Sequence, residues 1–300
     1  MQGTQTIHHF LSKISIEDIE KKRESFYLLN FKKMSDEELF NAIMNTISFD
    51  IDGSGTQQSM LLQRGSTYPI GTRFFKIRSL TAEDHYIPLM AMSKEQDAWN
   101  APEEKCKIGR INKEGESLLY TSPQNPNICV EEMGINDDER FCLIVYEAVK
   151  DIQTTLIGIW ENSLDYTQEE NLKMRMITNI LKDLFTRDVG KGTEYWYRVS
   201  ERIAKDYYDL PREMQDGWCY PSIAAKLGYN VCFRPEVAKE VLRLVGVQIC
   251  TVKRMNDNYM YSCQAIAVWN DNKQIFDFFP VSSPICRILF PEIQIKKENV

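Results

Sequence analysis

Two Asn-Asp-Asn triplets, Asn256-Asp257-Asn258 and Asn270-Asp271-Asn272, cut the C-terminal part of the chain into three short runs at 245–253, 261–269 and 274–279. The runs are rich in β-branched and aromatic residues, and the triplets carry side chains that close turns on their own backbone. Strands joined by connections that short pair antiparallel, because a parallel crossover needs a dozen residues or more. This end of the chain therefore reads as consecutive hairpins. The runs 73–80, 117–122, 141–149, 154–160 and 230–233 have the same strand composition.

Helices are marked as plainly. Residues 15–33 place Ile16, Ile19 and Phe26 at helical spacing among charged positions. Ser35-Asp36-Glu37-Glu38 is a capping box for a helix with Leu39, Ile43 and Ile47 on one stripe, and Thr167-Gln168-Glu169-Glu170 opens another that runs to about Phe185. A further helix is expected over 235–244. Asp52-Gly53-Ser54-Gly55 is a break between the first helices and the strands. The expected class is α+β, with mainly antiparallel sheets and flanking helices; an N-terminal helical extension (1–60) precedes the main domain (61–300).

Composition bounds the function. A 43% hydrophobic content in 300 residues supports a real core, and 43 acidic against 36 basic residues, with no polybasic tract, disfavours nucleic acid as a partner. Eight cysteines lack Cys-x-x-Cys spacing and three histidines lack a zinc pattern, so reduced core thiols and no metal are expected. No apolar run reaches membrane-spanning length and the first residues lack a leader's pattern, so no membrane and a cytoplasmic location are expected.

The candidate chemistry lies in ordered pieces. Phe74-Phe75-Lys76-Ile77-Arg78 is a short aromatic strand closed by an arginine, and Gly109-Arg110-Ile111-Asn112-Lys113-Glu114-Gly115 is a loop with a glycine at each end. Leu118-Leu119-Tyr120 ends a strand, Glu131 follows Tyr120 by eleven positions, and Gly217-Trp218-Cys219-Tyr220-Pro221-Ser222 precedes Asn230. Each has a plain structural reading. Arg78 can be a surface or ion-paired strand residue, Arg110 and Asn112 parts of a connecting loop, and Tyr120, Trp218 and Tyr220 core. Glu131 can be a solvated acid at a helix start, and Ser222 the N-cap of the turn at 223–226. Arg73 and Lys76 are expected in solvent under either reading.

In this order the pieces resemble the RES family, named for its Arg, Glu and Ser. The match runs from about Arg73 to Phe233, and the stretch 151–191 is longer than a compact member would need. The resemblance implies a fold similar to that of ADP-ribosylating toxins and an enzyme that consumes NAD as substrate, without metal, by cleaving the nicotinamide–ribose bond. Water or phosphate would accept the ADP-ribosyl group, as in an NAD glycohydrolase or phosphorylase. It implies Arg78 on the pyrophosphate, Glu131 on the ribose with Glu132 as the adjacent alternative, and Ser222 contacting the carboxamide, the ribose or Glu131. Arg110, holding either phosphate or Glu131, would line the substrate cleft with Asn112, Tyr120 and Tyr220, and Asn230 would brace the loop. Many members are toxins with an antitoxin partner. Transfer of ADP-ribose to a protein, or NAD binding without catalysis, are the alternatives.

Overall fold

The computed structural model describes residues 2–59, 63–81, 83–225, 228–256 and 258–293. Three helices come first, α1 (Gln2–Lys13), α2 (Ile16–Tyr27) and α3 (Asp36–Ile47), then a ribbon of β1 (Ser48–Asp50) and β2 (Gln57–Ser59). The middle of the chain forms β3 (Arg64–Tyr68), β4 (Arg73–Ser79), β5 (Leu119–Pro123), α4 (Pro126–Glu132), β6 (Phe141–Ala148) and β7 (Ile152–Leu156). Two helices, α5 (Gln168–Phe185) and α6 (Trp196–Tyr207), precede β8 (Gly217–Pro221), β9 (Tyr229–Phe233) and α7 (Pro235–Val241). A meander of β10 (Leu242–Met255), β11 (Asn258–Asn270) and β12 (Ile275–Pro280) leads to α8 (Pro284–Leu289).

The protein is thus α+β, built on a ten-stranded sheet in the order β12-β11-β10-β6-β4-β5-β9-β8-β7-β3. Every neighbouring pair is antiparallel except β7 with β8. Both faces are covered. Alternation along β4 sends Phe75 and Ile77 into a core beneath α4 and α8, and Phe74 into a core on the other face that includes Trp99, Tyr146 and Val237 of α7. On β8 the same alternation sends Trp218 and Tyr220 beneath α5 and α6, and Cys219 to the core that holds Phe74.

The N-terminal helices are built into this second half of the sheet. Phe26, Phe31, Leu39, Ile43 and Ile47 share one core with Leu181, Phe185, Trp218 and Tyr220. Lys173, 5% exposed, ties α5 to α1 by donating from Nζ to Leu11 O at 2.9 Å while pairing with Glu169 at 2.6 Å. The expected junction between residues 60 and 61 lies outside the described residues. No described helix is long and apolar enough to cross a membrane.

The capping boxes expected at Ser35 and Thr167 form, a further one forms at Ser15, and α5 spans Gln168–Phe185. The helix expected over 235–244 stops at Val241, because Leu242, Arg243 and Leu244 pair with Ala148, Glu147 and Tyr146 of β6. Strand pairing there outweighs the helical preference of leucine and arginine. The strand expected at 154–160 starts earlier and ends at Leu156. α6 was not anticipated: it opens on Tyr195-Trp196-Tyr197 without a capping side chain, yet buries Val199, Ile203 and Ala204. Asp257, the middle of one expected hairpin turn, lies outside the described residues, whereas β11 and β12 are joined at Asn270 as expected.

Gly217 marks the tightest approach in β8. A Cβ there would stand 2.7 Å from Cys232 O and 3.0 Å from Phe233 Cδ1. Backbone cannot yield as a flexible side chain can, so Gly217→Ala should destabilise the fold by about 1–3 kcal/mol. The check is the urea midpoint, with an unchanged midpoint contradicting the packing described.

Candidate functional site

β4 and β5 pair at two positions, Phe74 with Pro123 and Phe75 with Ser122. This brings Ser122 beside Asn230, since β5 also pairs with β9 (Thr121 with Val231) and β9 with β8 (Asn230 with Tyr220). Ser122 Oγ donates to Asn230 Oδ1 at 2.9 Å, which fixes the amide so that Nδ2 faces away. That Nδ2 donates to Glu132 Oε1 at 2.9 Å. Ser222 Oγ donates to the same oxygen at 2.5 Å, and the Ile223 N–H adds a third bond at 3.2 Å. Ser122, Asn230 and Ser222 are buried, whereas Glu132 is exposed, so one carboxylate oxygen is held at a buried polar cluster while its residue borders solvent.

Glu131 lies elsewhere. Its Oε1 accepts from Arg254 Nε at 2.9 Å and from Tyr259 OH at 2.7 Å, and Arg254 also pairs with Asp137 at 3.0 Å. The expected meeting of Glu131 with Ser222 or Arg110 is therefore corrected: Glu132 meets Ser222. The helix explains the shift. Successive residues project about 100° apart, so neighbours on α4 serve different clusters. The carboxylates also end the helix instead of starting it. Asn125 caps α4, Pro126 is its first residue, and Glu131 and Glu132 fall in the last turn, where the helix dipole disfavours acids and outside donors must hold them.

Ser222 carries both of its sequence readings at once. Its Oγ accepts from Ala225 N at 3.1 Å, capping the turn, while it donates to Glu132. Lys226, the last residue of that turn, lies outside the described residues.

The glycine-flanked loop closes on Tyr120. The Tyr120 hydroxyl donates to Asn112 Oδ1 at 2.7 Å and accepts from Ile111 N at 3.3 Å, while Asn112 Nδ2 donates to Lys107 O and Lys113 O at 2.8 Å each. Asn112 and Tyr120 are thus engaged with each other, which corrects the expectation that Asn112, or the phenol of Tyr120, faces a ligand. A Cβ on Gly109 would overlap Asn112 Oδ1, so a larger residue here would displace the amide that the Tyr120 hydroxyl bonds.

The loop leaves Arg110 differently placed. Its Nη2 donates to Arg187 O at 3.0 Å and its guanidinium lies 5.5 Å from the Tyr197 ring centre. Its Nη1 is buried and has no hydrogen-bond partner among the described residues. A buried guanidinium nitrogen without an acceptor is costly, and an anion at that point would relieve it. Tyr220 lies in the core beneath α5 and α6. It is 2% exposed and packs on Phe185 at 5.7 Å. Burial pushes its phenol well above the usual range, with Cys232 and Glu132 acting in the same direction and Arg110 opposing them.

Arg78 is not in this cluster. It has the parity of Phe74 along β4, and its Nη1 donates to Asp97 O at 2.7 Å and Asp97 Oδ1 at 3.2 Å. The ion-paired reading is the one the geometry realises. Arg73 and Lys76 also depart from the solvated expectation: Arg73 pairs with Glu292 at 3.1 Å, and Lys76 Nζ donates to Trp99 O at 2.6 Å. A cleft of about 840 Å³ lined by Lys22, Phe26, Asn45 and Phe49 lies among the N-terminal helices, and none of Arg110, Glu132 or Ser222 borders it. No group of His, Cys, Asp or Glu suited to a metal occurs among the described residues.

The fold and these residues define a class only broadly, an α+β protein with a carboxylate held at a buried Ser–Asn pair and, elsewhere on the chain, a buried arginine nitrogen without an acceptor among the described residues. Compared with known proteins, the chain matches no family model and no curated sequence.

Lys76 yields a pH test. Burial lowers its ammonium from 10.5 to about 8, with Arg78 adding repulsion. Between those values the unfolded chain holds a proton that the folded chain has released, so this group's contribution to stability rises with pH across the window and is lost as pH falls towards 8. Wild type should therefore gain stability relative to Lys76→Met between about pH 7.5 and about pH 9.5, measured by urea unfolding. A constant difference would mean that the ammonium is not desolvated.

Proposed function

We propose that this protein is an NAD-consuming enzyme of the RES type, with an ADP-ribosyltransferase-like fold, that cleaves the bond between nicotinamide and ribose. The observation that carries the reading is the convergence of Ser222 Oγ, Asn230 Nδ2 and the Ile223 N–H on Glu132 Oε1. Its Oε2 accepts no hydrogen bond among the described residues, which leaves one oxygen of an oriented carboxylate for a ligand. The RES-like order of Arg110, Tyr120, Ser222 and Asn230 supports the same reading.

In the reaction the C1′–N bond breaks and its electron pair leaves with neutral nicotinamide, so positive charge grows on C1′ and the ring oxygen. A fixed carboxylate beside the ribose stabilises that charge more in the transition state than in the bound substrate. Glu132 takes this role, replacing Glu131. Ser222 and Asn230 hold it in place, with Ser122 behind Asn230. Arg110 takes the pyrophosphate, because its Nη1 is a buried guanidinium nitrogen without an acceptor among the described residues. Arg78, already bound to Asp97, braces the strand. The acceptor that captures C1′ is water, phosphate or a protein side chain, and the products distinguish them.

Incubating the pure protein with NAD, with and without phosphate, and identifying products by mass tests the reading. Free nicotinamide is expected, and unchanged NAD would favour binding without catalysis. Glu132→Gln should lower turnover by about two to three orders of magnitude, or roughly 3–4 kcal/mol, with little change in NAD affinity. Glu131→Gln should leave turnover within a few fold. The reverse order would return the catalytic role to Glu131. Arg110→Ala should weaken NAD binding more than Arg78→Ala does, measured by calorimetry in the Glu132→Gln background. Equal affinity on adding Arg110→Ala there would remove Arg110 from the phosphate site.

A further inference from the structure

Cys250 and Cys263 face each other directly across β10 and β11, beside a register shift at Ile249 and Cys250. Opposed residues of an antiparallel pair have Cα atoms about 4.5–5.5 Å apart, within the roughly 4.4–6.8 Å that a disulfide spans. Both side chains lie on one face of the sheet, in the core beneath α8. Cys250 is fully buried, while Cys263 is partly exposed and is the thiol that a solute can reach.

Cys250 Sγ donates to Gln248 Oε1 at 3.9 Å and Cys263 Sγ donates to Ala265 O at 3.3 Å. Interaction between the two sulfurs, with burial, raises the Cys250 thiol, and the same interaction lowers Cys263 from the usual thiol range. The partly exposed Cys263 is thus placed as the attacking cysteine and the buried Cys250 as the resolving one. Cys142 belongs to the core on the opposite face, whereas Cys129 and Cys286 share this core, and Cys286 is the one whose thiol Cys263 helps to raise.

We propose that Cys250 and Cys263 form a redox-active dithiol that a hydroperoxide converts to a cross-strand disulfide. The Cys263 thiolate takes the distal peroxide oxygen as the O–O bond breaks, giving a sulfenic acid and, after protonation, water or an alcohol. Cys250 then attacks the sulfenyl sulfur; the S–O bond breaks, and the hydroxyl leaves with the Cys250 proton as water. Two thiols are oxidised, one peroxide is reduced, and an added dithiol reverses the bond by exchange.

The position gives the bond a consequence. Arg254 and Tyr259 are themselves opposed on the same two strands, and both hydrogen-bond to Glu131, the residue before Glu132 on α4. A disulfide at Cys250 and Cys263 would tie together the hairpin arm that grips the end of α4. Oxidation should therefore raise the thermal midpoint of the folded protein relative to its reduced form, whether or not it consumes NAD.

The test treats the full chain with hydrogen peroxide near equimolar ratio, alkylates free thiols and maps the peptides by mass. The expected result is the loss of two hydrogens and a linked peptide pair joining Cys250 to Cys263, both reversed by dithiothreitol. In Cys250→Ser the Cys263 sulfenic acid should persist and react with dimedone, and Cys263→Ser, at a partly exposed position, should form no such bond. The wild-type peptide map requires no variant to fold. Both thiols remaining free to alkylate, a bond from Cys263 to Cys286, or a dimedone adduct accumulating on wild type would each overturn the proposal.

Discussion

The arrangement depends on a seam two residues long. β4 joins β5 through Phe74 with Pro123 and Phe75 with Ser122, and through this seam the strands from β12 to β4 are continuous with those from β5 to β3. Gln124, at positive φ, adds one more bond from its N–H to Arg73 O at 2.8 Å as the chain leaves the sheet. Because α4 follows at once, the seam decides where the helix lies, and so where its last two carboxylates fall. It also places Ser122 against Asn230.

Placement of α4 creates an electrostatic problem that the surrounding residues solve twice. Two acids in the last turn of a helix face the negative end of its dipole, so each requires donors from outside. Glu131 finds a guanidinium and a phenol on the β10–β11 hairpin, and Glu132 finds a serine, an asparagine and a backbone N–H beside β8 and β9. The first solution fastens α4 to one half of the sheet and the second fastens it to the other. A carboxylate whose donors are neutral keeps its charge available, whereas one paired with arginine has it largely offset. That difference favours Glu132 for stabilising a cation.

The glycine-flanked loop shows how a local motif can be structural and chemical at once. Asn112 and Tyr120 bond to each other and to the loop backbone, and this closure is what carries Arg110 into the interior. The N-terminal segment contributes from the far side, where Phe26 and Phe31 pack into the core that holds Tyr220, while Arg187, which follows α5 and whose carbonyl receives Arg110, lies 3.8 Å from the Trp196 ring centre of α6.

The sequence by itself determined what depends on neighbours along the chain. Capping boxes, the stripe Leu39, Ile43 and Ile47, the Asn270 turn and the β-branched and aromatic runs of β6, β11 and β12 are local signals, and each produced its element. It also singled out Arg78, Arg110, Asn112, Tyr120, Glu131, Tyr220, Ser222 and Asn230 as a group, of which Ser222 and Asn230 converge on Glu132 Oε1. Choosing between Glu131 and Glu132 was beyond it, since a rotation of about 100° per residue makes adjacent acids equivalent until the helix has a fixed phase against a sheet. The same holds for Arg78 and Lys76, whose contacts with Asp97 and Trp99 come from a segment that only folding brings alongside. Tertiary structure decided these because each turns on which non-local donor or acceptor arrives first at a charged group, and nothing in a residue's own neighbours along the chain encodes that.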